Sequence, residues 1–171
     1  GMHPTALAMG GAWLGNRSDT EREAVEAVHR AFERGINFFD TDPMYVRGQG
    51  EPRLGKALRE LPREAYYLST KVGTRPGMHG DLTAAGVRAS FEQSLEALGV
   101  DQVDLLMIHD PPDIEAALAP GAALDEMRRL QAEGLTRHLG LGTRWHSSHR
   151  LAMETRSEER RVGKECIVKC R

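Results

Sequence analysis

At 171 residues, with 40% hydrophobic and 28% charged residues, the chain has the size and composition of one globular domain with a sizeable core. Its formal charge of −2 offers no basic face for phosphates, which speaks against nucleic acid as a main partner. No apolar run approaches the roughly 20 residues that cross a bilayer, so no membrane partner is expected.

Ala6–Gly11 reads as a short strand of small residues, passing into the loop Gly10-Gly11-Ala12-Trp13-Leu14-Gly15. Ser18 or Asp19 can cap the helix that follows. From Thr20 to Arg34, Ala24, Val25, Val28, Ala31 and Phe32 recur at helical spacing, and Gly35 supplies the stop. Ile36–Phe39 is a second strand, followed by the polar loop Asp40–Gly50. Glu51 opens a second helix, which its charge favours through the helix dipole; Leu54, Ala57, Leu58 and Leu61 share one face and Pro62 ends it. Tyr66–Val72 is a third strand, Gly73–Gly80 a loop, and Asp81–Gly99 a third helix with Val87, Phe91, Leu95 and Leu98 inward. Val103–Ile108 is nearly all apolar, as a strand buried on both faces should be. A fourth helix is expected from about Gly121 to Gly134, a fifth strand at Arg137–Leu141 and a fifth helix beginning near His146.

About five βα units thus follow one another without a hairpin signal, which predicts an α/β fold with a parallel sheet. A barrel and a doubly wound open sheet both fit that alternation. The GxGxxG fingerprint of dinucleotide-binding open sheets is absent after the first strand.

Asp40, Tyr45, Lys71 and His109 lie at or just beyond the ends of the expected strands, where barrel enzymes collect their catalytic groups. Each has a plain structural reading: a turn cap, a rim aromatic, a strand-end charge, a core histidine. Lys71 stands out, because of seventeen basic residues before position 156 only Lys56 and Lys71 are lysine. Together the four can move a proton to a carbonyl oxygen. A phenol with a pKa near 10 is a poor acid at neutral pH. An adjacent ammonium is expected to lower that value, and a carboxylate beside the lysine to fix its position. A neutral histidine can orient the carbonyl.

The strings GINFFDTDPMY (Gly35–Tyr45), EPRLGKAL (Glu51–Leu58), STKVG (Ser69–Gly73), VDLLMIHDPP (Val103–Pro112) and GLTRHLGLG (Gly134–Gly142) resemble, in order and spacing, the aldo-keto reductase family. The resemblance covers about residues 6–155. It implies a (β/α)8 TIM barrel, truncated here after about five βα units, and a catalytic tetrad at Asp40, Tyr45, Lys71 and His109. It implies NADPH, with NADH possible, as cofactor, and an aldehyde, ketone or sugar-type alcohol as substrate. Cofactor contacts would fall on Gly11, Ala12, Asp40, Thr143 and Arg144, and the substrate pocket on Trp13, Tyr45 and His109. Many members carry Ser-Asn where this chain has Thr143-Arg144, and GLGTRWHSSH is more similar to the sugar-dehydrogenase branch. Two rival readings are a barrel lyase using Lys71 as a Schiff-base nucleophile and a regulatory subunit that binds cofactor with little turnover.

Arg156–Arg171 departs from the rest, with six basic and three acidic residues, both cysteines (Cys166 and Cys170) and no apolar period. RSEERRVGKEC (Arg156–Cys166) resembles the conceptual translation of a common sequencing adapter, so 1–155 is expected to be a partial barrel and 156–171 a non-native, disordered tail. The cysteine placement and the lack of a signal-like N-terminus lead to an expected cytoplasmic location. His146 and His149 stand three apart without a third ligand at a telling spacing, so no metal site is expected. The truncated chain is expected to be inactive by itself.

Overall fold

Five parallel strands lie side by side in the order in which the chain makes them. They are β1 (Met9–Gly10), β2 (Phe38–Asp40), β3 (Tyr67–Val72), β4 (Val103–His109) and β5 (Thr136–Gly142). The helices between and after them are α1 (Glu21–Glu33), α2 (Gly50–Leu58), α3 (Ala84–Leu98), α4 (Ile114–Leu118), α5 (Ala123–Ala132) and α6 (His146–Thr155). This computed structural model describes residues 1–15 and 21–155. The expected caps Ser18 and Asp19 and the expected tail 156–171 lie outside the described residues.

The strand order resolves what periodicity left open. A doubly wound sheet reverses direction at a switch point, whereas strands added one after another follow the winding of a (β/α)8 barrel. The helices cover the outward face of the sheet. Phe39, Leu68, Val72, Leu106 and Ile108 meet Leu54, Leu58, Val87, Phe91, Leu98, Met127 and Leu130 there, all buried. Each such side chain removed from water contributes about 1.5–3 kcal/mol.

Several boundaries differ from expectation. The first strand is only Met9–Gly10, not Ala6–Gly11, and β2 runs one residue further, so that Asp40 itself pairs with Gly10 and Ser69. α3 begins at Ala84 rather than Asp81. Thr83 takes the cap position, accepting the Gly86 amide, while Asp81 accepts the Thr83 amide and hydroxyl. α4 was not expected; Asp113 caps its single turn and a half by accepting the Ala116 amide, and five residues are too few for a readable period.

Polar ties fix the outer layer. On the face of β3 opposite Lys71, Thr70 donates to the buried carboxylate of Glu51, which also accepts from Arg75; Arg75 in turn donates to Ser90 and Ser94 of α3. Glu51 therefore links α2, β3 and α3, a larger part than the dipole support expected of it. Near the other end of the strands, Arg63 and the Leu68 amide both donate to buried Asp104, joining β3 to β4.

α2 approaches the end of α3 so closely that a Cβ on Gly55 would sit 2.5 Å from the Leu98 carbonyl oxygen. Gly55→Ala in the complete protein should push the two helices apart at a cost of about 1–3 kcal/mol, read as a lower urea midpoint with little change in slope. An unchanged midpoint would show that this approach is not constrained.

Candidate active site

The registers of β2, β3 and β4 set the site. Asp40 pairs with Ser69, and Lys71 lies two residues on, so alternation points both side chains to the same, concave face. Lys71 pairs with Met107, and His109 again lies two residues further on that face. Three strands thus deliver three polar groups to one end of the sheet.

Lys71 is buried, with its ammonium set among three acceptor atoms. Nζ donates to Asp40 Oδ2 at 2.7 Å, to Asp40 Oδ1 at 2.9 Å and to the Thr41 carbonyl at 2.6 Å. Ser69 Oγ donates to Asp40 Oδ1 at 2.6 Å and holds the carboxylate from the other side. Charge-assisted bonds of this kind are the strong ones, and a buried ammonium needs them.

Tyr45 comes from the loop after β2. Its ring lies 4.7 Å from Lys71 Nζ, measured to the centroid, and meets the His109 imidazole edge-on at 5.8 Å. Immediately after it Val46 and Arg47 adopt left-handed φ values of 53° and 55°. For a β-branched residue that conformation is strained, by about 1–3 kcal/mol, and such strain gathers at functional sites. Burial pushes the Tyr45 phenol above its ordinary pKa; Lys71 pulls it down, and Asp40 and Asp42 push it up. The expected net lowering by Lys71 is therefore not what the site produces. The ammonium is already balanced by Asp40, and desolvation of the phenolate wins.

His109 is held by a residue that sequence reasoning missed. Its Nδ1 lies 2.7 Å from Asp42 Oδ2, to which Thr74 Oγ1 also donates at 2.7 Å, while the Met44 amide donates to Asp42 Oδ1 at 2.7 Å. Asp42 is fully buried. Burial raises its pKa, but the hydrogen bonds from His109, Thr74 and Met44 outweigh it and hold the carboxyl below its ordinary value. The only sequence signal for Asp42 is a second acid two residues after Asp40, ahead of Pro43.

Gly11 ends against Asp40: a Cβ there would lie 3.0 Å from the Asp40 carbonyl oxygen and 3.1 Å from Thr41 Oγ1. Ala12 is half-buried beside it. Gly142, the last residue of β5, lies next to Lys71; its Cβ would meet Lys71 Cε at 3.7 Å. The Thr143 hydroxyl accepts the Trp145 amide and keeps its own proton to donate. Arg144 is turned to Asp110, with its Nε 3.1 Å from Asp110 Oδ2, and is 80% exposed. Trp13 is 71% exposed and lines a shallow groove with Met9, Leu14, Ala24 and Ala27, which holds none of the four tetrad positions. His149 Nε2 donates to the Thr143 carbonyl rather than joining His146. Among the described residues no cluster of three or more His, Cys, Asp or Glu could hold a metal, and no helix is long and apolar enough to cross a membrane.

Comparison with known proteins gives a consistent picture. The family model described as Aldo/keto reductase family matches residues 6–159. The chain is 33% identical to a D-threo-aldose 1-dehydrogenase from Pseudomonas sp, over 84% of this chain and 51% of that protein. It is 37% identical to an L-galactose dehydrogenase from Arabidopsis thaliana, over 82% of this chain and 45% of that protein. Among solved structures, an aldo/keto reductase from Klebsiella pneumoniae in complex with NADP and acetate superposes with a TM-score of 0.72 at 26% identity, covering 86% of this chain and 48% of that one. The chain belongs to the aldo/keto reductase family. It spans about half the length of the curated relatives it matches.

Asp42 has a pH consequence. Its folded pKa is depressed, so its contribution to stability is complete above the unfolded value of about 3.9 and is lost as pH falls through the folded one. Urea titrations of the complete protein between about pH 5 and about pH 2 should show that loss, and Asp42→Asn should show a shallower pH dependence. Equal slopes would place Asp42 outside the acid sensitivity of the fold.

Proposed function

We propose, on the premise of that membership, that the complete protein is an oxidoreductase interconverting a carbonyl and an alcohol with NADPH or NADH, on a small aldehyde, ketone or sugar-type substrate. The observation that carries this reading is the buried Lys71–Asp40 pair set against the Tyr45 ring, with His109 at the ring's edge. The similarity to aldose and galactose dehydrogenases supports the sugar-type substrate, and the Klebsiella pneumoniae relative bound to NADP supports the cofactor class.

Tyr45 is the proton donor in this reading. A phenol pushed above its ordinary pKa keeps its proton at neutral pH and releases it only to an oxygen that is gaining charge. Lys71 stabilises the phenolate at that moment, and Asp40, Ser69 and the Thr41 carbonyl keep the ammonium from moving. No reorganisation is then needed during the reaction. His109 reaches the same region and orients the substrate oxygen. A bound nicotinamide dinucleotide would supply a hydride for reduction or accept one in oxidation. Of this chain's residues, Asp40, Gly11 and Ala12 would lie against the nicotinamide end. The Thr143 hydroxyl, which donates to no group among the described residues, fits a carboxamide oxygen there, whereas the Arg144 guanidinium is committed to Asp110.

The lyase reading asks Lys71 to act as a neutral nucleophile. Its Nζ is engaged as a donor by Asp40 and the Thr41 carbonyl, which opposes that role. The regulatory reading would retain cofactor binding with little turnover.

In the complete protein, Tyr45→Phe should lower kcat for carbonyl reduction by about 10²-fold or more while cofactor affinity is largely kept. Near-normal reduction by Tyr45→Phe would overturn the assignment. Residues 1–171 alone, whose β1 and β5 each lack a second partner strand among the described residues, should show no turnover in the same assay.

A further inference from the structure

The reaction as described leaves Asp42 without a task, although it is fully buried and bonded to the histidine that faces the substrate. Resting on the reading of His109 as that histidine, we infer that Asp42 is a positioning residue that keeps the His109 proton on Nδ1. Nε2 then meets the substrate oxygen as a lone pair when the ring is neutral, and as a donor only when the ring carries both protons.

An ionised carboxylate can only accept hydrogen bonds. Asp42 accepts from the Met44 amide on Oδ1 and from the Thr74 hydroxyl on Oδ2, and these bonds favour the ionised form. His109 Nδ1 lies 2.7 Å from the same Oδ2. Were Nδ1 bare, two lone pairs would face each other at that distance. The neutral ring has a single proton, and with it on Nδ1 none remains for Nε2. Nε2 has no hydrogen-bond partner among the described residues. The charged and titratable groups facing His109 are Asp42 and Tyr45 from the loop after β2, with Lys71 of β3 and Asp40 of β2 behind the Tyr45 ring. Asp110, next along the chain, is occupied by Arg144.

This bears on which substrate the site holds. A carbonyl oxygen offers only lone pairs, so Nε2 can hydrogen-bond it only when the ring carries both protons. An alcohol can donate its O–H to a bare Nε2, so it binds the neutral ring. Reduction consumes a proton and oxidation releases one. That one proton passes through Tyr45, so the Nε2 state decides only how His109 holds the oxygen.

The test uses the complete protein labelled with ¹⁵N in histidine. The His109 ring signals, assigned by their loss in His109→Gln, report which nitrogen carries the proton, without any turnover. The neutral wild-type ring should carry it on Nδ1. In Asp42→Asn the amide oxygen can keep the Met44 N–H and turn the amide nitrogen toward Nδ1, so the proton should move to Nε2. A wild-type neutral ring protonated on Nε2 would overturn the inference. So would an Asp42→Asn protein whose tautomer is unchanged. If Asp42→Asn does not fold, the wild-type ring measurement decides alone. An Nδ1-protonated ring in a protein that binds NADPH but reduces no carbonyl would support the Asp42 inference and defeat the functional reading.

Discussion

The Lys71 ammonium, taken out of water at the end of a sheet strand, is the constraint around which the strand-end groups are arranged. Left unpaired, such a charge costs several kcal/mol, so the fold must bring it a carboxylate and further acceptors. Asp40 can serve only if β2 and β3 keep the register that pairs Asp40 with Ser69. A slip of one residue would turn Lys71 into the helix layer and place Thr70 at the site. The same alternation carries His109 to the concave face of β4, so the geometry of all three strand-end groups follows from one pairing scheme.

Two aspartates separated by a single residue divide the work. Asp40 balances the lysine, while Asp42, held by the Met44 amide and the Thr74 hydroxyl, holds the histidine. Tyr45, a few residues on, lies between the two pairs, and the left-handed backbone at Val46 and Arg47 follows it directly. Behind the sheet, the Glu51–Arg75 and Arg63–Asp104 ties join neighbouring strands and helices without entering the site. A site built on strand ends and backed by buried polar ties holds its geometry better than one built on loops alone.

How much of this could be read from the sequence depends on how local each feature is. Asp40, Lys71 and His109 end apolar runs, and their strand-end placement follows from that pattern alone. The parallel sheet follows from the alternation of elements, but its winding does not, because spatial strand order leaves no periodicity. Five residues of α4 carry too little signal. Asp42 was invisible for a different reason: its meaning comes from a histidine 67 positions away. The upward push on Tyr45 likewise depends on burial, which no local pattern states, and so the nearby lysine alone gave the wrong sign. Glu51 looked like a helix-terminus charge because Thr70 and Arg75 are distant in sequence.

The most direct measurement follows the transferred hydrogen. The complete protein is given NADPH deuterated at the transferable position of its nicotinamide together with a small aldehyde or aldose. The product alcohol should carry deuterium on the former carbonyl carbon, with its hydroxyl proton drawn from water, and Lys71→Met should suppress the labelled product. Hydrogen from solvent on that carbon, or undiminished labelling by Lys71→Met, would contradict the roles assigned to the strand-end cluster.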